Sequence, residues 1–299
     1  MQRQIELIGA AWGLGGPEPG CAEAPAVLTP LVISELERCG VPLHAGPILS
    51  PSRTERRKQL AVSKLCGLLA SAVADSMERG HLPCVLGGDH SCAGGTWTGV
   101  ARAVRGKKQG SLGLVWIDAH MDAHTPRTSH TGRLHGMPLA WLLGEDDDPL
   151  YGLATGVIEP RHVALLGVRS FEPEEQVRLN HLGVRVVYME EIRKRGIGSV
   201  LDEAIGIATC GTAAFGISID LDVVTPDEAP GVGTPVPDGV AGAELAHALD
   251  GVGRRPDLAA IELVEYSPRL DPTRGTARVA VELLRSALCG TRQQSKIVA

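Results

Sequence analysis

The chain has 299 residues, 43% hydrophobic and 21% charged, an ordinary balance for a globular protein able to bury a large core. A formal net charge of -6 and only 3% aromatic residues argue against nucleic acid as a partner, because both a basic surface and a stacking platform for bases are lacking. No apolar run approaches the roughly 20 residues that span a bilayer, so no membrane partner is expected.

Met1-Gln2-Arg3-Gln4 leads into a strand-like segment rather than the apolar region of a signal peptide. Seven cysteines (Cys21, Cys39, Cys66, Cys84, Cys92, Cys210, Cys289) are scattered without a CxxC pair, which reads as reduced thiols in a cytoplasmic protein. Gln4 to Trp12 reads as a first strand, followed by a Gly- and Pro-rich loop from Gly13 to Gly20. Its glycine cluster is no dinucleotide fingerprint, because Pro17 and Pro19 prevent a helix from opening where a pyrophosphate would need its N-terminus. Pro25 to Cys39 carries a helical pattern ending at Gly40, Val41 to Ser52 reads as a connection, and Glu55 to Arg79 as a long helix closed by Gly80.

His81 to Leu86 is a second buried strand, delivering Gly87-Gly88-Asp89-His90-Ser91. Here His90 is a candidate metal ligand, and Asp89 either orients an imidazole or caps the helix expected over Cys92 to Val104. Leu112 to Ile117 is an apolar run typical of a strand buried on both faces. Beyond it Asp118, His120, Asp122 and His124 crowd four potential ligands into seven positions. For these to share a site the backbone must curl as it leaves the sheet, at the strand end where open α/β sheets place their ligands. Mixed carboxylate and imidazole groups suit a borderline or hard divalent ion.

The polar loop Thr128 to Pro138 places His135 where it either shuttles protons or caps the helix expected over Leu139 to Leu143. Val163 to Val168 and Val184 to Met189 read as strands, separated by the acidic turn Arg169 to Glu175 and a short helix. That acidic cluster fits a solvated helix N-terminus or a contact with a cationic substrate group. A helix over Ser199 to Thr209 precedes the strand Ala213 to Ile219, which delivers Asp220-Leu221-Asp222. Carboxylates two residues apart repel each other unless a cation lies between them. The Pro- and Gly-rich loop Val223 to Gly239, around Thr234, leads to a helix over Ala243 to Leu249. A last strand, Leu258 to Val264, ends in Glu265-Tyr266-Ser267-Pro268, and a helix over Ala277 to Leu288 precedes a polar tail from Thr291 read as a candidate for disorder. Alternating strands and helices without a linker indicate one three-layer α/β/α domain over residues 1–299 with a mostly parallel sheet.

These segments together resemble the arginase (ureohydrolase) family, most nearly its bacterial arginases. The resemblance rests on GGDHS at Gly87 to Ser91, DAHMD at Asp118 to Asp122, GRLHGMP at Gly132 to Pro138, SIDLDVVTP at Ser218 to Pro226 and the Glu-x-x-Pro of Glu265 to Pro268, in family order over nearly the whole chain. It implies two Mn(2+) ions per subunit, one held by His90 and Asp122, the other by His120 and Asp222, with Asp118 and Asp220 bridging. It also implies attack on a guanidinium carbon by a hydroxide bridging both ions, the bridging Asp118 thereby serving the chemistry. His135 would assist proton transfer and Glu265 would hold the guanidinium.

Substrate contacts implied at a distance from the metals are His124, Thr131, Arg133, Glu172 and Thr234. Among them His124 and Arg133 stand where typical arginases have Asn, Thr131 replaces the usual Ser, and Glu172 is one methylene longer than the usual acidic residue. The expected substrate is a guanidino small molecule, L-arginine first, giving L-ornithine and urea. Relatives acting on agmatine, guanidinobutyrate or formimidoylglutamate are alternatives, as is a non-catalytic metal-binding member. The resemblance also implies a homotrimer or homohexamer.

Overall fold

Eight short segments, most of them apolar runs, become the strands of one sheet in a computed structural model that describes residues 3–52, 57–108, 110–145, 153 and 156–290. The strands are β1 (Ile5–Ala10), β2 (Leu43–Leu49), β3 (Leu82–Leu86), β4 (Leu112–Ile117), β5 (Val163–Val168), β6 (Arg185–Tyr188), β7 (Ala214–Asp220) and β8 (Leu258–Val264). Their spatial order is β2-β1-β3-β8-β7-β4-β5-β6, and every pairing is parallel. The α/β three-layer expectation therefore holds in a fully parallel form.

The helices are α1 (Ala24–Arg38), α2 (Lys58–Glu78), α3 (Ala93–Lys108), α4 (Pro138–Leu143), α5 (Pro173–Leu182), α6 (Met189–Arg195), α7 (Ile197–Thr209), α8 (Gly242–Ala248) and α9 (Gly275–Cys289). Side chains alternate across β4: Val115 and Ile117 join a core with α1, α6, α7, α8 and α9, while Leu114 and Trp116 join a core with α2, α3, α4 and α5. Each fully buried Leu, Ile or Val contributes about 1.5–3 kcal/mol, so the two cores supply most of what orders the sheet.

Three expectations need correcting. Residues 41–52 are not a plain connection, because Leu43–Leu49 pairs with β1 as an edge strand. Its side chains are largely solvent-facing and it contains Pro47, tolerated only at an edge or bulge, so it lacks the apolar run that marks an inner strand. The helix α6 has no signature in the sequence: seven residues with Glu190 and Glu191 at its start and Arg193, Lys194 and Arg195 at its end present little apolar periodicity. Finally, α2 is long and apolar enough by length and hydropathy to reach across a bilayer, contrary to the reading of the apolar runs. Its stripe of Val62, Leu65, Cys66, Leu69 and Val73 is nonetheless buried in the core it shares with α3. The tail beyond Thr291 lies outside the described residues.

The strands that matter for chemistry are the four central ones, β3, β8, β7 and β4. Their common direction brings their carboxyl ends to one rim, and the register sets Ile117 beside Ile219 and Asp220 beside Val264. Asp118, Asp220 and Glu265 consequently emerge at nearly the same height, where the sheet hands over to loops.

Candidate metal centre

His90 reaches the rim because the chain leaves β3 through two glycines. A Cβ at Gly88 would lie 1.7 Å from the Trp12 carbonyl oxygen, so only glycine permits this passage. Asp89 then caps the following turn, accepting from the Ser91 N–H at 3.0 Å, from the Ser91 hydroxyl at 2.5 Å and from the Gly15 N–H at 2.8 Å. Of its two expected roles the cap is the one the contacts describe, with a tie to the 13–20 loop added.

Beyond β4 the backbone curls as a shared site requires. The His120 N–H turns back onto Asp118 Oδ1 at 2.7 Å, and Asp122 takes a left-handed φ of 49°. Glu265, after β8, is likewise left-handed at φ 66°. Such strain in non-glycine residues is held only where the surroundings over-determine it, and it concentrates at functional sites.

The six side chains assigned to metal by resemblance converge. His90 Nδ1 lies 3.2 Å from Asp118 Oδ2, 3.0 Å from Asp122 Oδ2 and 3.2 Å from Asp220 Oδ2. His120 Nδ1 lies 2.9 Å from Asp222 Oδ2 and 3.6 Å from Asp118 Oδ1. Two ligand clusters result, His90–Asp118–Asp122 and Asp118–His120–Asp222, sharing Asp118 and each able to hold an ion. His120 alone of the six is not fully buried.

Two observations fit divalent cations at this place. His90 Nδ1 and Asp122 Oδ2 are buried and close, yet neither makes a hydrogen bond. Two such atoms side by side without a hydrogen bond are placed as ligands of one ion would be. Four carboxylates also crowd together out of water. Burial and the charges of Asp222 and Asp118 push Asp220 well above the usual carboxylate range, while burial and Asp118 push Asp122 up to about 6. Positive charge at the centre removes that repulsion.

Beneath the centre runs a buried polar row that the sequence did not reveal. The His90 Nε2–H donates to Ser218 Oγ at 3.0 Å, and the Ser218 hydroxyl donates to Glu262 Oε2 at 2.8 Å. Glu262 also accepts from the Trp97 indole at 3.0 Å and the Cys92 thiol at 3.5 Å. Because Ser218 has one proton and gives it to Glu262, its lone pair is left for the His90 Nε2–H. The other ring nitrogen, Nδ1, is thereby the one left facing the carboxylates and free to ligate a cation bound among them. Trp116 stacks on His90 with centroids 4.2 Å apart and donates its indole N–H to Asp118 Oδ2 at 2.9 Å. One signal was present in the sequence: a lone carboxylate, Glu262, inside the otherwise apolar run of β8.

Around the rim the remaining candidates divide. His135 Nδ1 bonds Glu265 Oε1 at 2.9 Å, and that oxygen also accepts the His90 backbone N–H at 2.8 Å. Burial opposes charge on His135, but Glu265 outweighs it and pushes the imidazole up to about 9. Thr234 donates to Asp222 Oδ2 at 3.3 Å, so it touches the centre itself. It is placed there by bridges of its loop, Val224 to Val240 and Val232 to Tyr266. His124 Nε2 lies 3.0 Å from Glu172 Oε2 and 3.4 Å from Glu175 Oε2, a third mixed cluster. Glu175, not singled out from the sequence, is almost fully buried and accepts from the Ala123 and Glu172 N–H groups at 3.0 and 3.1 Å. Thr131 and Arg133 are exposed on the loop before His135, lining a neighbouring cleft.

Comparison with known proteins gives a consistent result. The sequence pattern of the arginase family matches residues 3–290. The arginase of Brevibacillus brevis is 36% identical over 296 residues, 96% of this chain and 98% of that one. The arginase of Bacillus caldovelox is 36% identical over 95% of this chain and 97% of its own. Its native crystal structure superposes with a TM-score of 0.89 at 35% identity, covering 98% of this chain and 100% of that one.

Proposed function

The chain belongs to the arginase family of amidinohydrolases, and from that premise we propose that it is a manganese-dependent hydrolase of a guanidino substrate, L-arginine first, yielding urea and L-ornithine. The single observation that carries the reading is the convergence of His90, Asp118, His120, Asp122, Asp220 and Asp222, with two buried ligand atoms that make no hydrogen bond. The choice of L-arginine draws on the relatives named arginase. The choice of manganese draws on an oxygen-rich donor set with two imidazoles.

His90 and Asp122 would hold one ion, His120 and Asp222 the other, and Asp118 and Asp220 both. Bound divalent cations supply a nucleophile from water near neutral pH and stabilise charge developing at the guanidinium carbon. The protein's own groups do the rest. Ser218 and Glu262 fix the His90 ring, and Thr234 steadies Asp222. The buried Glu265 carboxylate presents a planar acceptor matched to a guanidinium. It also anchors His135 through Nδ1, leaving Nε2 as the atom that passes a proton to the departing amine. The same reading includes assembly as a homotrimer or homohexamer and residence in the cytoplasm; seven cysteines free of disulfides accord with the latter.

The test is urea release from a panel of guanidino compounds by manganese-loaded protein, with Asp118→Asn in parallel. We expect urea from L-arginine and a loss in the variant of about 10²–10³-fold in kcat, the scale on which a preorganised electrostatic group acts. No urea from any member of the panel, or full turnover by the variant, would overturn the reading.

A further inference from the structure

One side of the metal rim is a loop with few bonds of its own. Residues 223–239 include Pro226, Pro230, Pro235 and Pro237, which have no N–H to donate. Among the described residues, no backbone-to-backbone hydrogen bond is made by residues 234–239. Yet Thr234 must be held still for its hydroxyl to reach Asp222 Oδ2 at 3.3 Å. The bridge from Val232 to Tyr266 fixes the chain before Thr234 and leaves the part after it unheld.

A single side chain supplies the missing donors. Arg169, directly after β5, donates from Nε to the Pro237 carbonyl at 2.9 Å and from Nη2 to the carbonyls of Val236 at 3.0 Å and Asp222 at 2.7 Å. Nη1 donates to the Gly167 carbonyl at 3.2 Å, which orients the fork against its own strand. The Arg169 backbone N–H donates to the Ala119 carbonyl at 2.9 Å, and the Ala119 N–H donates to Asp222 Oδ1 at 3.2 Å. One residue therefore ties together the segment between Asp118 and His120, the backbone of Asp222 and the loop of Thr234. None of these contacts reaches His90 or Asp122. A planar guanidinium with several fixed donors can serve three carbonyls at once, whereas the point charge of a lysine cannot.

We propose that Arg169 is a positioning residue for one half of the metal centre, setting the affinity for the cation held by His120 and Asp222 while leaving the one held by His90 and Asp122 unaffected. The inference rests on the two-cation reading above and adds an asymmetry to it. The half that depends on the clamp is also the more open one, since His120 alone of the six ligands is not fully buried.

The experiment is calorimetric titration of the metal-free protein with Mn(2+), for wild type, Arg169→Lys, which keeps the charge and loses the fork, and Arg169→Met, which loses both. In each variant we expect one binding step weakened by about 10–100-fold, the scale for groups that hold ligands from behind, and the other within about threefold of wild type. With His120→Ala in place, adding Arg169→Lys should leave the surviving step unchanged; with Asp122→Ala in place, it should weaken that step again. Should Arg169→Met not fold, Arg169→Lys decides alone. Equal weakening of both steps, no weakening of either, or a change in Arg169→Met with none in Arg169→Lys would overturn this inference and leave the two-cation reading intact. Fewer than two binding steps in the wild type would overturn both.

Discussion

Glu262 shows how far a single residue's consequences extend. It is a wholly buried carboxylate whose donors are all neutral, and through Ser218 it sets which nitrogen of His90 faces the metal centre. Glu262→Gln leaves the shape unchanged but lets Ser218 accept instead of donate, so the His90 tautomer is no longer fixed. Partners of this kind are worth about 10–100-fold in metal affinity, and a weakening in that range is expected by calorimetric titration with Mn(2+), with the thermal midpoint of the metal-free protein little changed. Unaltered affinity would show that the row is merely structural. The six candidate ligands were legible in the sequence because each lies at or within a few residues of the end of an apolar run, so its position on the rim is given by where the strand stops. Ser218 and Glu262 were not, because their contact depends on β7 lying beside β8 in one particular register. His124 was legible as a departure, but its partners Glu172 and Glu175 lie about 50 residues away, and only the fold unites them.

Elements are joined at the opposite end of the sheet by a second buried carboxylate, Glu6 on β1. It accepts from Arg79 at the end of α2 at 2.8 Å and bonds His81 Nδ1, just before β3, at 2.8 Å. Burial opposes its charge, yet Arg79 and His81 together hold its carboxyl below the ordinary value. A folded-state value below the unfolded one means that the group stabilises the fold above the unfolded glutamate pKa of about 4.3, and that this contribution is lost as pH falls through the lower folded value. Thermal unfolding of wild type and Glu6→Gln should therefore differ most near pH 6–7 and converge toward pH 3. A gap that stays constant or widens in acid would contradict the assignment. Inner strands such as β4, β5 and β8 were legible to the residue because both their faces are buried. The edge strand β2 and the short helix α6 were not, since each is held by a neighbour rather than by an apolar pattern of its own.

The whole molecule is a parallel sheet between two helical layers, and its chemistry depends on that direction being uniform. With β3, β8, β7 and β4 parallel and adjacent, segments far apart in the chain present His90, Asp118, Asp220 and Glu265 on one rim. No single segment holds enough ligands for two cations, so the centre exists only when the complete sheet has formed. Metal binding should accordingly raise the unfolding temperature of the entire molecule in one step rather than order a local loop. The most direct test is anomalous diffraction from crystals of the manganese-loaded protein. Two peaks per chain are expected, one against His90 and Asp122 and the other against His120 and Asp222, with Asp118 and Asp220 touching both. Peaks elsewhere, or a rim without anomalous signal in crystals that bind manganese at other places, would contradict it.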